Sequence, residues 1–204
     1  METRPIPEHP FPTQLEDARK AYLWLLESGM AAQRIVVAGD SAGGNLALAL
    51  LLSLKEVNLP MPALAVCLSP WVDPGNSGES LTENESVDWL QKRVADRWAE
   101  WYCSGVASNE PLISPLHADL RGLPPIFIQA GNAEIFFDMI HKFNDIAHQQ
   151  GANVTLEVWE HMVHNFQAFG DSTAQSRTAL AHIQKTIERA FRDKEQPQSP
   201  ENGI

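Results

Sequence analysis

A short β-branched run, Ile35-Val36-Val37, passes through Ala38-Gly39 into Asp40-Ser41-Ala42-Gly43-Gly44, and a long Leu- and Ala-rich run follows. No other stretch narrows the possible folds as much. Apolar runs of these two lengths, parted by glycines, read as a buried strand, a sharp turn and a buried helix. Ser41 stands at the turn between Gly39 and Gly43, in the G-x-S-x-G pattern that presents a nucleophilic serine. A serine on so tight a turn takes strained backbone angles, and the residues two before and two after it must be small. Gly39 and Gly43 meet that need, and Gly44 adds a further glycine. The hydroxyl is then lifted over the sheet edge, where the free N–H groups of the helix start favour developing negative charge. A Gly/Ser cluster can also be only a turn, so the pattern needs partners elsewhere in the chain.

The rest of the chain alternates in kind. Pro5, Pro7, Pro10 and Pro12 make residues 1–12 an extended loop. Thr13-Gln-Leu-Glu16 reads as a capping box, with Thr13 as N-cap. It opens a helix that carries Leu15, Ala18, Tyr22, Leu25 and Leu26 on one face and stops at Gly29. Short apolar runs at 63–68 and 126–130, and an alternating one at 154–159, predict three more strands. Val87, Leu90, Val94, Trp98 and Trp101 predict an amphipathic helix, and further helices are expected at 136–150 and 173–192. Strand-helix alternation predicts an α/β fold, a mostly parallel sheet with helices on both faces. With 204 residues and 44% hydrophobic content, one core over 1–193 is expected, with an inserted partial cap at about 74–115 and a polar tail at 194–204.

A formal net charge of −11 argues against nucleic acid or an anionic membrane as the main partner. Two cysteines, Cys67 and Cys103, make neither a disulfide framework nor a metal spacing, so no metal or organic cofactor is expected, and a reducing cytoplasm suits the chain. The first residues lack a leader-like apolar stretch, and the apolar run at 46–54 is too short to span a bilayer.

A serine hydroxyl needs a base within hydrogen-bond reach, and the base needs an orienting acid. Right-handed crossovers put the C-terminal ends of parallel strands on one rim. Ser41, Glu134 and His164 each follow a predicted strand and fall on that rim. His161 is the nearest rival for the base, and Asp138 for the acid. Phe166 offers an anchor for the loop of His164, and Glu134 lies nearer its strand end than Asp138. The Ala42 N–H is the candidate oxyanion donor, with Gly43 N–H beside it. Trp89, Trp98 and Trp101 either line an acyl pocket, as substrate-binding residues, or serve as packing.

Gly39-Asp-Ser-Ala-Gly-Gly44 resembles the signature of the hormone-sensitive-lipase-like branch of the α/β-hydrolases. The likeness extends through Pro7–Pro12, through Leu68-Ser-Pro-Trp-Val-Asp73, and through the run from Ser114 to Pro125. Gly131-Asn-Ala-Glu134 with Asp138 resembles the family's acid segment, and His161-Met-Val-His164 its histidine loop. The resemblance implies a Ser41-His164-Glu134 triad hydrolysing a small-molecule carboxylic ester of short to medium acyl length. A serine peptidase or amidase is the rival within the same fold.

Two departures stand out. His161 occupies a position where the family more often has a small or acidic residue. The family's H-G-G-G oxyanion motif occurs nowhere in the 204 residues. By the resemblance, the sequence starts where the family's fourth strand would end. The expectation is a truncated α/β-hydrolase whose strand at 35–38 leaves an unpaired edge, open to homodimerisation. Activity is expected to be weak, and a non-catalytic binding or regulatory chain is the alternative.

Overall fold

A computed structural model describes residues 3–195. The tail expected at 194–204 lies outside the described residues from 196 onward. Four strands form one sheet: β1 (Val36–Asp40), β2 (Leu64–Leu68), β3 (Ile126–Gly131) and β4 (Val154–Trp159). All pairs are parallel and the order is β1-β2-β3-β4. The register runs Gly39 to Cys67, Cys67 to Ile128 and Ile128 to Leu156, which brings the C-terminal ends level. The two inner strands are buried along nearly their whole length, as a doubly covered parallel sheet requires, with Gln129 of β3 bonded to Glu157 and Ala179 O.

Helices α1 (Thr13–Glu27), α2 (Ala42–Glu56), α3 (Ser80–Glu83), α4 (Lys92–Cys103), α5 (Phe137–Gln149) and α6 (Ala174–Glu195) complete the chain. Strands in sequential order send their connecting helices to one face. Leu48 and Leu51 of α2 and Phe143 of α5 accordingly share a core with Ala65, Cys67 and Ile128. Leu81, Leu90 and Ala95, all between β2 and β3, enter the same core, so this connection packs onto the sheet's helices. On the opposite face Val66 and Phe127 meet Ile183 and Ile187 of α6. Helix α1 lies on the flank of α2, where Leu15, Ala18 and Tyr22 pack against Leu50 and Leu54.

Three expectations need correction. Thr13 is the first residue of α1 rather than its cap; Pro12 holds the cap position and no side chain caps the helix. Glu16 turns instead toward Arg4, whose guanidinium pairs with Glu16 at 3.7 Å and Asp17 at 2.8 Å. The helix predicted from Val87 begins only at Lys92. Residues 84–90 are held in turns because Asn84 O accepts the N–H groups of Val87 and Asp88. The short α3 has no counterpart in the sequence reading.

Strand β1 pairs with β2 alone among the described residues. Ala63 N donates to Ile35 O and Ser41 N to Leu68 O, so alternation leaves the backbone of Val36, Ala38 and Asp40 facing outward. No helix among the described residues is long and apolar enough to cross a membrane.

Candidate active site

Strand β1 ends one residue before Ser41 and α2 begins one residue after it. Ser41 is left at φ 52°, ψ −119°, a conformation L-residues rarely adopt. It is held there because its N–H donates to Leu68 O at 2.8 Å and its carbonyl accepts from Trp71 N at 3.0 Å. The crowding around the turn is distributed differently from expectation. A Cβ on Gly39 would sit 2.1 Å from Gly43 O, and one on Gly44 would sit 2.8 Å from Pro70 Cβ. At Gly43 the nearest atom is Asp40 Oδ1 at 3.8 Å, so this glycine is not required by the turn. The turn lays the Gly43 carbonyl over Gly39, while Gly43 itself borders an open cavity.

His164 follows β4 and lies 123 residues from Ser41, yet its Nε2 stands 2.9 Å from Ser41 Oγ. His161 is exposed, at φ 61°, with its N–H donating to Asn132 Oδ1. Glu134 Oε2 lies 3.9 Å from His164 Nδ1, about an ångström beyond an ordinary N–H···O bond. Instead Ser69 Oγ donates to Glu134 Oε2 at 2.5 Å, and Gly131 N donates to it at 3.3 Å. Glu134 Oε1 and His164 Nδ1 are buried without a partner among the described residues. Such gaps are common before substrate binds and close in the reacting complex. Asp138 is engaged elsewhere, with its Oδ2 accepting from Ser80 N at 2.8 Å.

Both groups are sealed from water, Glu134 at 0% exposure and His164 at 1%. Burial pushes the Glu134 carboxyl up to about 8, with a smaller contribution from the Asp88 charge, and pushes the His164 ring down to about 4. At neutral pH the ring is therefore neutral and able to accept a proton from Ser41. The ring packs edge-on against Phe136 at 5.1 Å and beside Trp89 at 5.6 Å.

A cavity of about 330 Å³ opens next to Ala42 and Gly43, walled by Ile6, Leu46, Trp71 and Tyr102. Neither Trp89 nor Trp98 is among the residues that line it. The Trp89 indole N–H donates to His164 O at 2.7 Å, and Trp98 lies part-exposed on α4. Tyr102 lies one helical turn beyond Trp98, on the side that α4 buries. Ser69, Asp88 and Tyr102 escaped the sequence reading. Only Ser69 carried a signal, since it directly follows a predicted strand and so falls on the rim.

A family model described as the alpha/beta hydrolase fold matches residues 4–168. The chain belongs to the α/β-hydrolase family. Within this family, an acetyl-hydrolase of Streptomyces hygroscopicus is 42% identical over 176 residues, 85% of this chain and 58% of its own length. An esterase of Acinetobacter venetianus is 34% identical over 183 residues, 87% of this chain and 59% of its own. The crystal structure of an esterase from the bacterial hormone-sensitive lipase family is similar with a TM-score of 0.90 at 39% identity, covering 93% of this chain and 64% of its own. The chain thus spans less than two thirds of the length of these α/β-hydrolase relatives.

Proposed function

We propose that the chain hydrolyses carboxylic esters by two-step acyl transfer through Ser41, His164 and Glu134. The observation that carries the reading is the 2.9 Å approach of His164 Nε2 to Ser41 Oγ on the strained turn. Relatives named acetyl-hydrolase and esterase support the same reaction class. Neutral His164 takes the Ser41 proton as Oγ bonds to the ester carbonyl carbon. The oxyanion accepts from Ala42 N–H, one of the α2 donors with no intrahelical acceptor. Collapse breaks the bond to the alcohol oxygen, and His164 returns the proton to the leaving alkoxide. Water, deprotonated by His164, then attacks the acyl-Ser41, and the acid departs as Ser41 regains its proton. The imidazolium formed in each half-reaction draws Glu134 across the 3.9 Å gap, its Nδ1–H donating to Glu134 Oε2.

The cavity beside Ala42 suits a short to medium acyl group. The Ala42 N–H is the oxyanion donor assigned here, and one such donor is typically worth about 10²–10³ in rate. The same proposal has two copies pair through the open edge of β1, and places the chain, with its two buried free cysteines, in the cytoplasm.

A fluorophosphonate probe and p-nitrophenyl esters test the chemistry, with Ser41→Ala as control. Labelling at Ser41 and ester turnover lost in the variant are expected. Folded protein that does not label supports a non-catalytic binding chain, and faster cleavage of matched anilides supports a peptidase or amidase. Sedimentation equilibrium showing only monomer across concentrations rules out the β1 pairing.

A further inference from the structure

Residues 80–89 lie across the two loops that carry Glu134 and His164, and their side chains bond to those loops' backbone. Ser80 Oγ donates to Ile135 O at 2.9 Å, and Asn84 Nδ2 donates to Glu134 O at 2.9 Å. Asp88, 7% exposed, accepts from both loops at once. Its Oδ2 takes Ile135 N at 2.8 Å, adjoining the acid, and its Oδ1 takes the N–H of His164 itself at 3.2 Å. Trp89 then holds the next peptide unit, on the other side of the His164 Cα, through His164 O. The backbone N–H and C=O of His164 are thus both gripped by consecutive side chains from a segment more than seventy residues away.

We propose that Asp88 is a positioning residue, its carboxylate spanning the acid and base loops to set the His164 ring against Ser41 and Glu134. This deepens the ester-hydrolysis reading and rests on it. A carboxylate so deeply buried is costly unless its oxygens are satisfied; Leu90 N donates to Oδ1 at 3.4 Å, and the two shorter bonds come from the two loops whose spacing governs proton transfer. The ring has little other polar restraint, because Nδ1 is unpartnered and Nε2 meets only Ser41. Fixing the backbone therefore adds the polar restraint to the packing of the ring against Phe136 and Trp89.

Asp88→Asn keeps the shape but has one acceptor oxygen, so its amide group would face either Ile135 N–H or His164 N–H. A reacting group displaced by about 1 Å loses on the order of 10²-fold in rate. The expected result is a kcat, per site titrated with a fluorophosphonate, about 10–100-fold lower, with KM within about twofold. Titration removes any loss of folded protein from the comparison. Trp89→Phe keeps the aromatic ring and deletes only the bond to His164 O; one hydrogen bond predicts a fall of about fivefold. A kcat per site within twofold of the parent in Asp88→Asn overturns the proposal, as does a parallel rise in KM that accounts for the loss. If Asp88→Asn fails to fold, Trp89→Phe decides by the same criteria.

An arm independent of activity separates the two readings. Nitrogen-15 NMR should show moved His164 ring signals and faster amide exchange at Ile135 and His164 in Asp88→Asn, with Ile128 in β3 unchanged. If the parent neither labels nor hydrolyses, the ester-hydrolysis reading fails while these spectra still judge the positioning role. Unmoved ring signals in both variants overturn it.

Discussion

Glu134→Gln should cost activity and raise stability, and the gain should depend on pH. In the folded chain burial holds the Glu134 carboxyl at about 8 against an ordinary 4.5. Its folded value is raised, so its stabilising contribution is complete below 4.5 and is lost as pH climbs toward 8. Through that window the unfolded chain releases a proton that the folded chain retains. Each pH unit then removes about 1.4 kcal/mol. Moving from pH 5 to pH 7 removes about 3 kcal/mol through this one group, an upper bound because local relaxation softens it. Glutamine does not titrate, and its amide oxygen still accepts from Ser69 Oγ, as Glu134 Oε2 does now. The variant's stability should therefore exceed the parent's by a margin that widens from pH 5 to pH 7. His164 shifts in the opposite sense, but it is present in both proteins and cancels in the difference. Urea unfolding of both proteins at the two pH values measures the margin. A margin that stays constant or narrows would refute the claim that Glu134 is stored as a neutral, water-excluded acid.

Replacing Ser41 by glycine relieves the positive φ, whereas Ser41→Ala keeps the Cβ that strains it. The glycine variant should be the more stable, by up to about 2 kcal/mol after the glycine entropy cost, in chemical denaturation. Gly44→Ala drives a Cβ into Pro70 and should lower the unfolding midpoint, while Gly43→Ala should fold normally and raise KM for longer acyl esters by narrowing the cavity. The acid limb of the kcat/KM profile should fall near pH 4 rather than near 6.5, because His164 must be neutral to act and burial keeps it so; a limb at 6.5 would contradict the sealed ring.

The sheet and the serine turn were legible because each rests on short-range pattern. Runs such as 63–68 and 126–130 are almost continuously apolar, interrupted only by Gln129, which leaves few readings besides a central parallel strand. Contacts that join distant segments were not legible. Thr13 and Glu16 have the right spacing for a capping box, but Arg4 competes for the glutamate and Pro12 takes the cap position. The aromatic residues of α4 follow a helical period, and that period says nothing about which side meets a cavity; Tyr102 does and Trp98 does not. Asp88 stands between Val87 and Trp89 without any motif, and its importance comes from Ile135 and His164, which folding alone brings within reach. The choice between Gly43 and Gly44 as the crowded glycine depended on Pro70, a neighbour outside the turn.

The sequential strand order has an implication for how the molecule is assembled. As the ribosome delivers this chain, α2 and α5 can seat themselves on their side of the sheet as each crossover emerges. Among the described residues, the reverse side has no such early shield. Val66 and Phe127 wait bare until α6, the last of the described helices, arrives with Ile183 and Ile187. For the interval in which β2 and β3 exist and α6 does not, the growing chain carries an uncovered greasy plate, and that interval is when it would most need a chaperone.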